Sequence, residues 1–273
     1  MTRLFSVLVF SLIATAASAQ FTPQVGQAGK DVIWVPTPDD VVERMLIMAQ
    51  VTPNDYVWDL GAGDGKIAIM AAKKFGARAI GIEYNPDMVK HANDNAQKAG
   101  VAGTGAGKAA IRHGDIFATD FTQATVVTLY LLPALNMKLR PQLLSMRPGT
   151  RVVSHSFSME DWEADEISTL DGRRAYFWLV PAQVMGAWNL DAGAQKHEMT
   201  LEQTFQKLSG TITLGPIHAG LREARLRGAG ISFAYVDQSG MRRDFSGRVS
   251  GGRMEGNFRD EKGAEGKWTA TKK

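Results

Sequence analysis

Asp59-Leu60-Gly61-Ala62-Gly63-Asp64-Gly65 (DLGAGDG, residues 59–65) follows the apolar run Tyr56-Val57-Trp58 and precedes a helically spaced stretch, Lys66 to Phe75, that stops at Gly76. A strand that ends in a glycine-rich turn and opens a helix is a general device for holding nucleotides. Glycine lets the backbone come close to a ligand, and the helix N-terminus offers unpaired N–H groups. The spacing then sorts the ligands. Dinucleotide sites use G-x-G-x-x-G, which cradles a pyrophosphate. Here the spacing is G-x-G-x-G, with a carboxylate two residues before the first glycine. A carboxylate at that place repels phosphate and attracts an ammonium group.

Two further acids stand at the ends of the next strands. Arg78 to Tyr84 (RAIGIEY) reads as a second strand, and Glu83 near its end can accept both hydroxyls of a ribose, a mark shared with NAD sites. Ala109 to Asp115 (AAIRHGD) reads as a third strand ending in Gly114-Asp115-Ile116. There the Asp115 side chain can take an adenine amino group while the Ile116 N–H reaches a ring nitrogen. Alone, a strand-end glycine is often only a turn and a strand-end acid only solvated. Together, at successive strand ends of one sheet, they share the carboxyl edge where such folds bind ligands. A nucleoside that also carries an ammonium group is S-adenosylmethionine (SAM), and SAM is the expected cofactor. The candidate cofactor-binding residues on this reading are Asp59, Gly61, Gly63, Asp64, Gly65, Glu83, Tyr84, Asp115 and Ile116.

Outward from these motifs, residues 20–35 read as an extended lead-in broken by Pro36-Thr37-Pro38. Asp39 or Asp40 can cap a following helix, in which Val42, Met45, Leu46 and Ala49 recur at helical spacing. Asn85 and Pro86 suit the start of another helix, with Met88, Ala92, Ala96 and Ala99 on one face. Residues 100–107 form a glycine-rich loop. Ala124 to Leu132 reads as a fourth strand, buried on both faces, and Thr150 to Phe157 as a fifth. Between them Leu135, Leu139, Leu143 and Leu144 mark a helix ending near Pro148-Gly149. Residues 164–181 read as two more strands around a turn at Asp171-Gly172. Alternating strands and helices predict a parallel sheet covered on both faces, and the closing strand pair predicts an antiparallel edge. The fold class is α/β, a Rossmann-like seven-stranded sheet.

From residue 184 the pattern becomes short alternating stretches between glycine-containing turns: MGAWNL, MTLEQTFQKLSGTITLG, ISFAYVD, RDFSGRVSG, RMEGNFRD and GKWTATKK. This predicts a small all-β barrel or sandwich packed on the first domain. The expected division is a leader over 1–19, a cofactor-binding domain over 20–183 and an accessory β-rich domain over 184–273.

The composition is that of an ordinary globular chain: 273 residues, 44% apolar, 22% charged, net charge +3. That mild excess gives no case for nucleic acid as partner. With no cysteine, disulfides, thiolate metal sites and a cysteine nucleophile are excluded. The five histidines are scattered without metal-ligand spacing, so no metal is expected. Ser154 and Ser156 flank His155 without a nucleophile-elbow sequence. At the N-terminus, Arg3, the apolar run Leu4 to Ala16 and Ala17-Ser18-Ala19 fit a signal peptide cut after Ala19. The expectation is a periplasmic or secreted protein with no stable membrane insertion after cleavage.

The sequence resembles the class I, seven-stranded SAM-dependent methyltransferases. Within them it is similar to small lysine methyltransferases of bacteria and mitochondria, the latter acting on the ATP synthase c subunit and the adenine nucleotide translocase. The likeness spans about residues 30–180. It rests on Val35-Pro36-Thr37-Pro38, DLGAGDGKI (59–67), Gly81-Ile82-Glu83-Tyr84-Asn85-Pro86 and the stretch from Thr128 to Trp162. It implies that Val35 and Thr37 close over the cofactor and that Tyr130 lies near the sulfonium. Tyr130, Leu131, Pro133 and Asn136 are then placed to line an acceptor channel. His155 is a candidate proton acceptor, with a hydrogen-bonded core histidine as the plainer reading, and Trp162 reads as packing before substrate platform. The leader and the β module stand outside the family pattern. The expected activity is methyl transfer to an amine, such as a protein lysine or a small amine. The alternative is an exported protein that holds SAM without turnover, its β domain binding a partner or lipid.

Overall fold

The computed structural model describes residues 21–193 and 195–273; the expected leader, residues 1–19, lies outside them. The first sheet holds β1 (Tyr56–Leu60), β2 (Arg78–Glu83), β3 (Ala109–His113), β4 (Val126–Leu129), β5 (Arg151–His155), β6 (Glu166–Leu170) and β7 (Arg173–Leu179). Its order is β3-β2-β1-β4-β5-β7-β6. The first five strands are parallel, and β7 runs antiparallel between β5 and β6. The chain winds outward in opposite directions from β1 and β4. That reversal opens a crevice at their carboxyl ends.

Side chains alternate across this sheet with period two, and each face buries its own core. Val57, Val153, Ala175 and Phe177 pack with α1 (Asp39–Met48) and α2 (Lys66–Phe75) through Val42, Met45, Leu46, Ala68 and Ala71. Trp58, Leu60, Ile80, Val127, Leu129, Val152 and Trp178 face the other way, onto Leu139 and Leu143 of α4 (Pro133–Leu144). The third helix, α3 (Pro86–Lys98), starts as its sequence requires. The Asn85 Oδ1 accepts from the Asp87 and Met88 N–H groups at 2.9 and 3.2 Å.

Neither Asp39 nor Asp40 caps α1, contrary to the sequence reading. Pro38 occupies the cap position, and both acids sit in the first turn, where a negative charge meets the positive end of the helix dipole. The fourth strand stops at Leu129 rather than Leu132. Tyr130 and its neighbours leave the ladder at the crevice. α4 likewise ends at Leu144, short of Pro148.

The remaining strands are β8 (Gly186–Ala192), β9 (Gln195–Thr204), β10 (Lys207–Leu214), β11 (Ile217–Gly220), β12 (Arg222–Arg227), β13 (Gly230–Val236), β14 (Arg242–Ser250), β15 (Arg253–Asp260) and β16 (Glu265–Lys272). All pair antiparallel. β11 and β12 share one edge of β10 while β9 takes the other, so the sheet closes into an eight-stranded barrel. Trp188, Trp268, Tyr235, Phe233, Phe245 and Met254 fill it. The stretch 199–215, read from sequence as one run, is two strands joined at Phe205-Gln206; β11 and β12 have no counterpart in the sequence reading. The barrel rests on the first sheet, where the Ala182 N–H donates to the Gly228 carbonyl at 2.8 Å.

One close approach seats the glycine turn. A methyl at Gly81 in β2 would stand 2.6 Å from the Ala62 Cβ and 3.1 Å from the Ile111 Cγ1. Gly81→Ala is therefore expected to cost about 1–3 kcal/mol of stability by overpacking and to weaken cofactor binding as the turn is pushed outward. Thermal unfolding and titration calorimetry check this; wild-type values for both would refute the close fit.

Candidate active site

The crevice at the carboxyl ends of β1, β2, β3 and β4 is a cleft of about 320 Å³, the size range of small-molecule sites. Of the sequence-predicted residues, Val35, Thr37, Asp59, Gly61, Gly63, Asp64, Glu83, Tyr84, Asp115, Ile116 and Tyr130 line it. The three strand-end acids thus share one cavity.

Asp59 is the last residue but one of β1 and is buried. Its Oδ1 accepts from the Thr128 Oγ1 at 2.7 Å, on the neighbouring strand β4. Its Oδ2 is buried with no hydrogen-bond partner among the described residues. Burial pushes its pKa up to about 7 despite the Thr128 bond, and repulsion from Asp64 and Glu83 adds to the rise. A buried carboxylate oxygen without a partner is costly. A cation arriving in the cleft relieves that cost, and the ammonium of a methionine moiety has that chemistry.

Glu83 is committed to backbone. Its Oε2 accepts from the Gly63 N–H at 3.0 Å and its Oε1 from the Asn85 N–H at 2.8 Å, so it staples the glycine turn to β2. Lone pairs remain on both oxygens for ribose hydroxyls. Gly63 has φ +52°, and a Cβ there would lie 2.5 Å from the Trp34 Nε1. The lead-in indole therefore lies against the turn.

Asp115 accepts from the Phe117 N–H at 2.9 Å and from the Lys30 Nζ at 2.6 Å. The Lys30 bond holds the Asp115 pKa below the ordinary carboxylate value. Lys30 also stands 4.9 Å from the centroid of the Tyr84 ring. Thr37 and His155 are both buried, with Oγ1 and Nδ1 3.1 Å apart. Burial, with the charge of Arg173, lowers the His155 pKa to about 4, so the ring is neutral near pH 7. The Tyr130 ring packs against it at 4.0 Å between centroids and against Phe157 at 6.1 Å.

Three sequence assignments need correction, and His155 takes the plainer of its two readings, a buried histidine hydrogen-bonded to Thr37. Asn136 is wholly buried and off the cleft: its Nδ2 reaches the Ser154 Oγ and the Phe157 and Ser158 carbonyls at 3.2–3.3 Å. The first turn of α4 turns it toward β5, and Leu132 and Leu135 line the wall instead. Pro133 is exposed and does not line the cleft. His155 also stays off the lining, in contact with Tyr130 and Thr37. Gly65 opens α2 on the inner side of the turn, against Ile111 and Ala92. The sequence reading missed Lys30, Trp34, Lys66, Leu132, Leu135 and Phe157, all on the lining. Residues 27–37 have no periodic signal, so only the tryptophan and lysine inside them hinted at contact with a ligand.

The chain matches a family profile described as the ANTKMT methyltransferase domain over residues 59–166. It is 46% identical over 136 residues to a protein-lysine N-methyltransferase of Saccharolobus islandicus, covering 49% of this chain and 82% of that relative. It is 32% identical over 124 residues to the adenine nucleotide translocase lysine N-methyltransferase of Mus musculus, covering 45% of this chain and 52% of that one. A crystal structure described as an RNA methyltransferase from Salinibacter ruber in complex with S-adenosyl-L-homocysteine aligns at 50% identity and a TM-score of 0.52. It covers 55% of this chain and 96% of the other.

The raised Asp59 pKa gives the cleft a pH signature. A cation favours ionised Asp59, so binding must expel a proton wherever the free group is protonated, below about pH 7. SAM affinity is expected to rise between pH 5 and pH 7 and level off above. Calorimetry in buffers of different ionisation heat should find close to one proton released at the acid end, a release that fades as the pH approaches 7 and Asp59 ionises. Asp59→Asn should abolish the dependence, and a flat profile in the wild type would contradict the assignment.

Proposed function

We propose that this protein, which belongs to the class I SAM-dependent methyltransferases, transfers a methyl group to the ε-amino group of a lysine in a protein acceptor. The observation that carries the lysine reading is the charge of the cleft. Asp31, Asp59, Asp64, Glu83 and Asp115 line it, and among the described residues Lys30 and Lys66 are the only basic side chains on the lining. Both lysines are engaged, Lys30 with Asp115 at 2.6 Å and Lys66 with Asp39 at 2.8 Å. An acidic cleft attracts an amine and repels a phosphate backbone. That favours lysine over RNA, the class named for the Salinibacter structure, and agrees with the names of the curated relatives. Residues 20–183 carry the catalysis on this reading, and 184–273 an accessory function.

SAM, when bound, supplies a methyl group on a sulfonium leaving group. The chain must align the acceptor, dehydrate it and keep it unprotonated. Asp59, Glu83 and the glycine turn fix the cofactor end of the cleft. Tyr130, Leu131, Leu132 and Phe157 form an apolar wall at the acceptor end. Such a wall disfavours an ammonium group and lowers the pKa of an entering lysine, so that the neutral amine is the form held there. The proton leaves to water at the open mouth. His155 takes no part in the transfer: its neutral ring is committed to Thr37, and it fixes the plane of Tyr130. Trp34 and Val35 of the lead-in exclude water from above.

The test supplies tritiated-methyl SAM with poly-L-lysine and, separately, with total RNA. Label is expected in poly-L-lysine as methyllysine by mass spectrometry. Label in RNA alone would overturn the lysine reading. Tyr130→Ala should lower kcat by about tenfold or more and leave SAM affinity within about threefold, an energy below about 1 kcal/mol.

A further inference from the structure

Phe205 occupies a conformation its side chain disfavours. With Gln206 it forms the two-residue turn between β9 and β10, and its φ is +53°. Glycine, asparagine and aspartate fill such positions because a Cβ in the left-handed region is strained. Turn chemistry gives no reason for a phenylalanine here. Its contacts do. The ring stacks on Trp162 at 6.1 Å between centroids, 23° from parallel. The Arg140 guanidinium lies 5.3 Å from the ring centroid. Beside it, the Gln206 Nε2 donates to the Glu163 carbonyl at 2.7 Å, and Lys207 pairs with the Glu163 carboxylate at 2.6 Å. The latter pair is exposed and contributes little.

All these partners except Arg140 belong to residues 156–163, the larger part of the connection from β5 to β6. This segment begins in the cleft, since Phe157 lines it. It is itself strained: Ser156 and Glu160 have φ +62° and +54°. Strained residues persist only where the surroundings over-determine them. From the sheet side, Asn136 holds the Phe157 and Ser158 carbonyls, Arg140 holds the Met159 carbonyl and Asp161, and the Trp178 Nε1 donates to the Trp162 carbonyl at 2.8 Å. The barrel turn holds it from the other side, and Arg140 touches both.

We infer that the barrel is a positioning element for the acceptor side of the cleft. The Phe205 turn presses on Trp162, immobilises residues 156–163 and thereby fixes Phe157 against Tyr130. Among the described residues no hydrogen bond or ion pair links the barrel to residues 61–65, Glu83 or Asp115, so the cofactor side is independent of it. The effect on catalysis rests on the lysine-methylation reading above; the mechanical coupling does not.

The test uses the full chain with Phe205→Asn, which suits the turn but removes the ring, and Phe205→Tyr, which keeps the ring. Hydrogen exchange of residues 156–163, SAM titration, thermal unfolding and methyl transfer to poly-L-lysine are compared with wild type. Phe205→Asn is expected to melt no lower than wild type and to bind SAM unchanged. Its 156–163 amides should exchange faster, and methyl transfer should fall by about tenfold, in kcat more than in KM. Phe205→Tyr should restore exchange and transfer. Unchanged exchange in Phe205→Asn would overturn the inference, as would a parallel loss of SAM binding. If wild type labels no poly-L-lysine, the lysine reading fails, while the exchange comparison still decides this one.

Discussion

A carboxylate buried near the tip of β1, with one oxygen held by Thr128 and the other without a partner among the described residues, sets the condition that the rest of the cleft meets. Burying a charge is expensive unless something opposite answers it. Neither lysine on the lining reaches Asp59: Lys30 lies against Asp115 and Lys66 against Asp39. Among the described residues no cation answers an ionised Asp59, and a cationic ligand would. Glu83 uses both its oxygens to pin the glycine turn in place, and Gly81 lets that turn sit tightly on β2. The lead-in then closes the cleft from above. Turn, staple and cover all serve to present one half-satisfied acid to a cation.

Much of this is legible in the sequence, for a physical reason. Parallel strands buried on both faces read as apolar runs, and their ends carry the ligand-binding residues. The β1 motif, Glu83 and Asp115 can therefore be placed in one cleft from sequence alone. The errors fall where apolarity has a second meaning. Ala124 to Leu132 read as one strand, yet Tyr130, Leu131 and Leu132 leave the ladder and line a cavity. Asn136 sits at a helix start, and sequence spacing does not say which side of the first turn faces the ligand. The lead-in lacks periodicity altogether, so no spacing places Trp34 and Lys30 at the cleft.

The barrel shows a related failure. Alternation continues through Phe205-Gln206, and neither residue signals a turn, so β9 and β10 read as one run. A turn that breaks its own local preference is a place where another requirement has won. Here that requirement is contact with Trp162 and Arg140, next to the loop that carries Phe157. The two sides of the cleft are thus built differently. The cofactor side is set by strand ends and backbone bonds within one sheet, while the acceptor side is an irregular segment braced from two directions.

The titration of Asp59 tests the central claim most directly. Carbon-13-labelled aspartate would follow its carboxyl by NMR, with Asp59→Asn identifying the resonance. A buried, half-satisfied acid should show a midpoint near 7 in the free protein, falling toward the ordinary carboxylate range when SAM is bound. A free-protein midpoint already in that ordinary range, or one that SAM does not move, would contradict it.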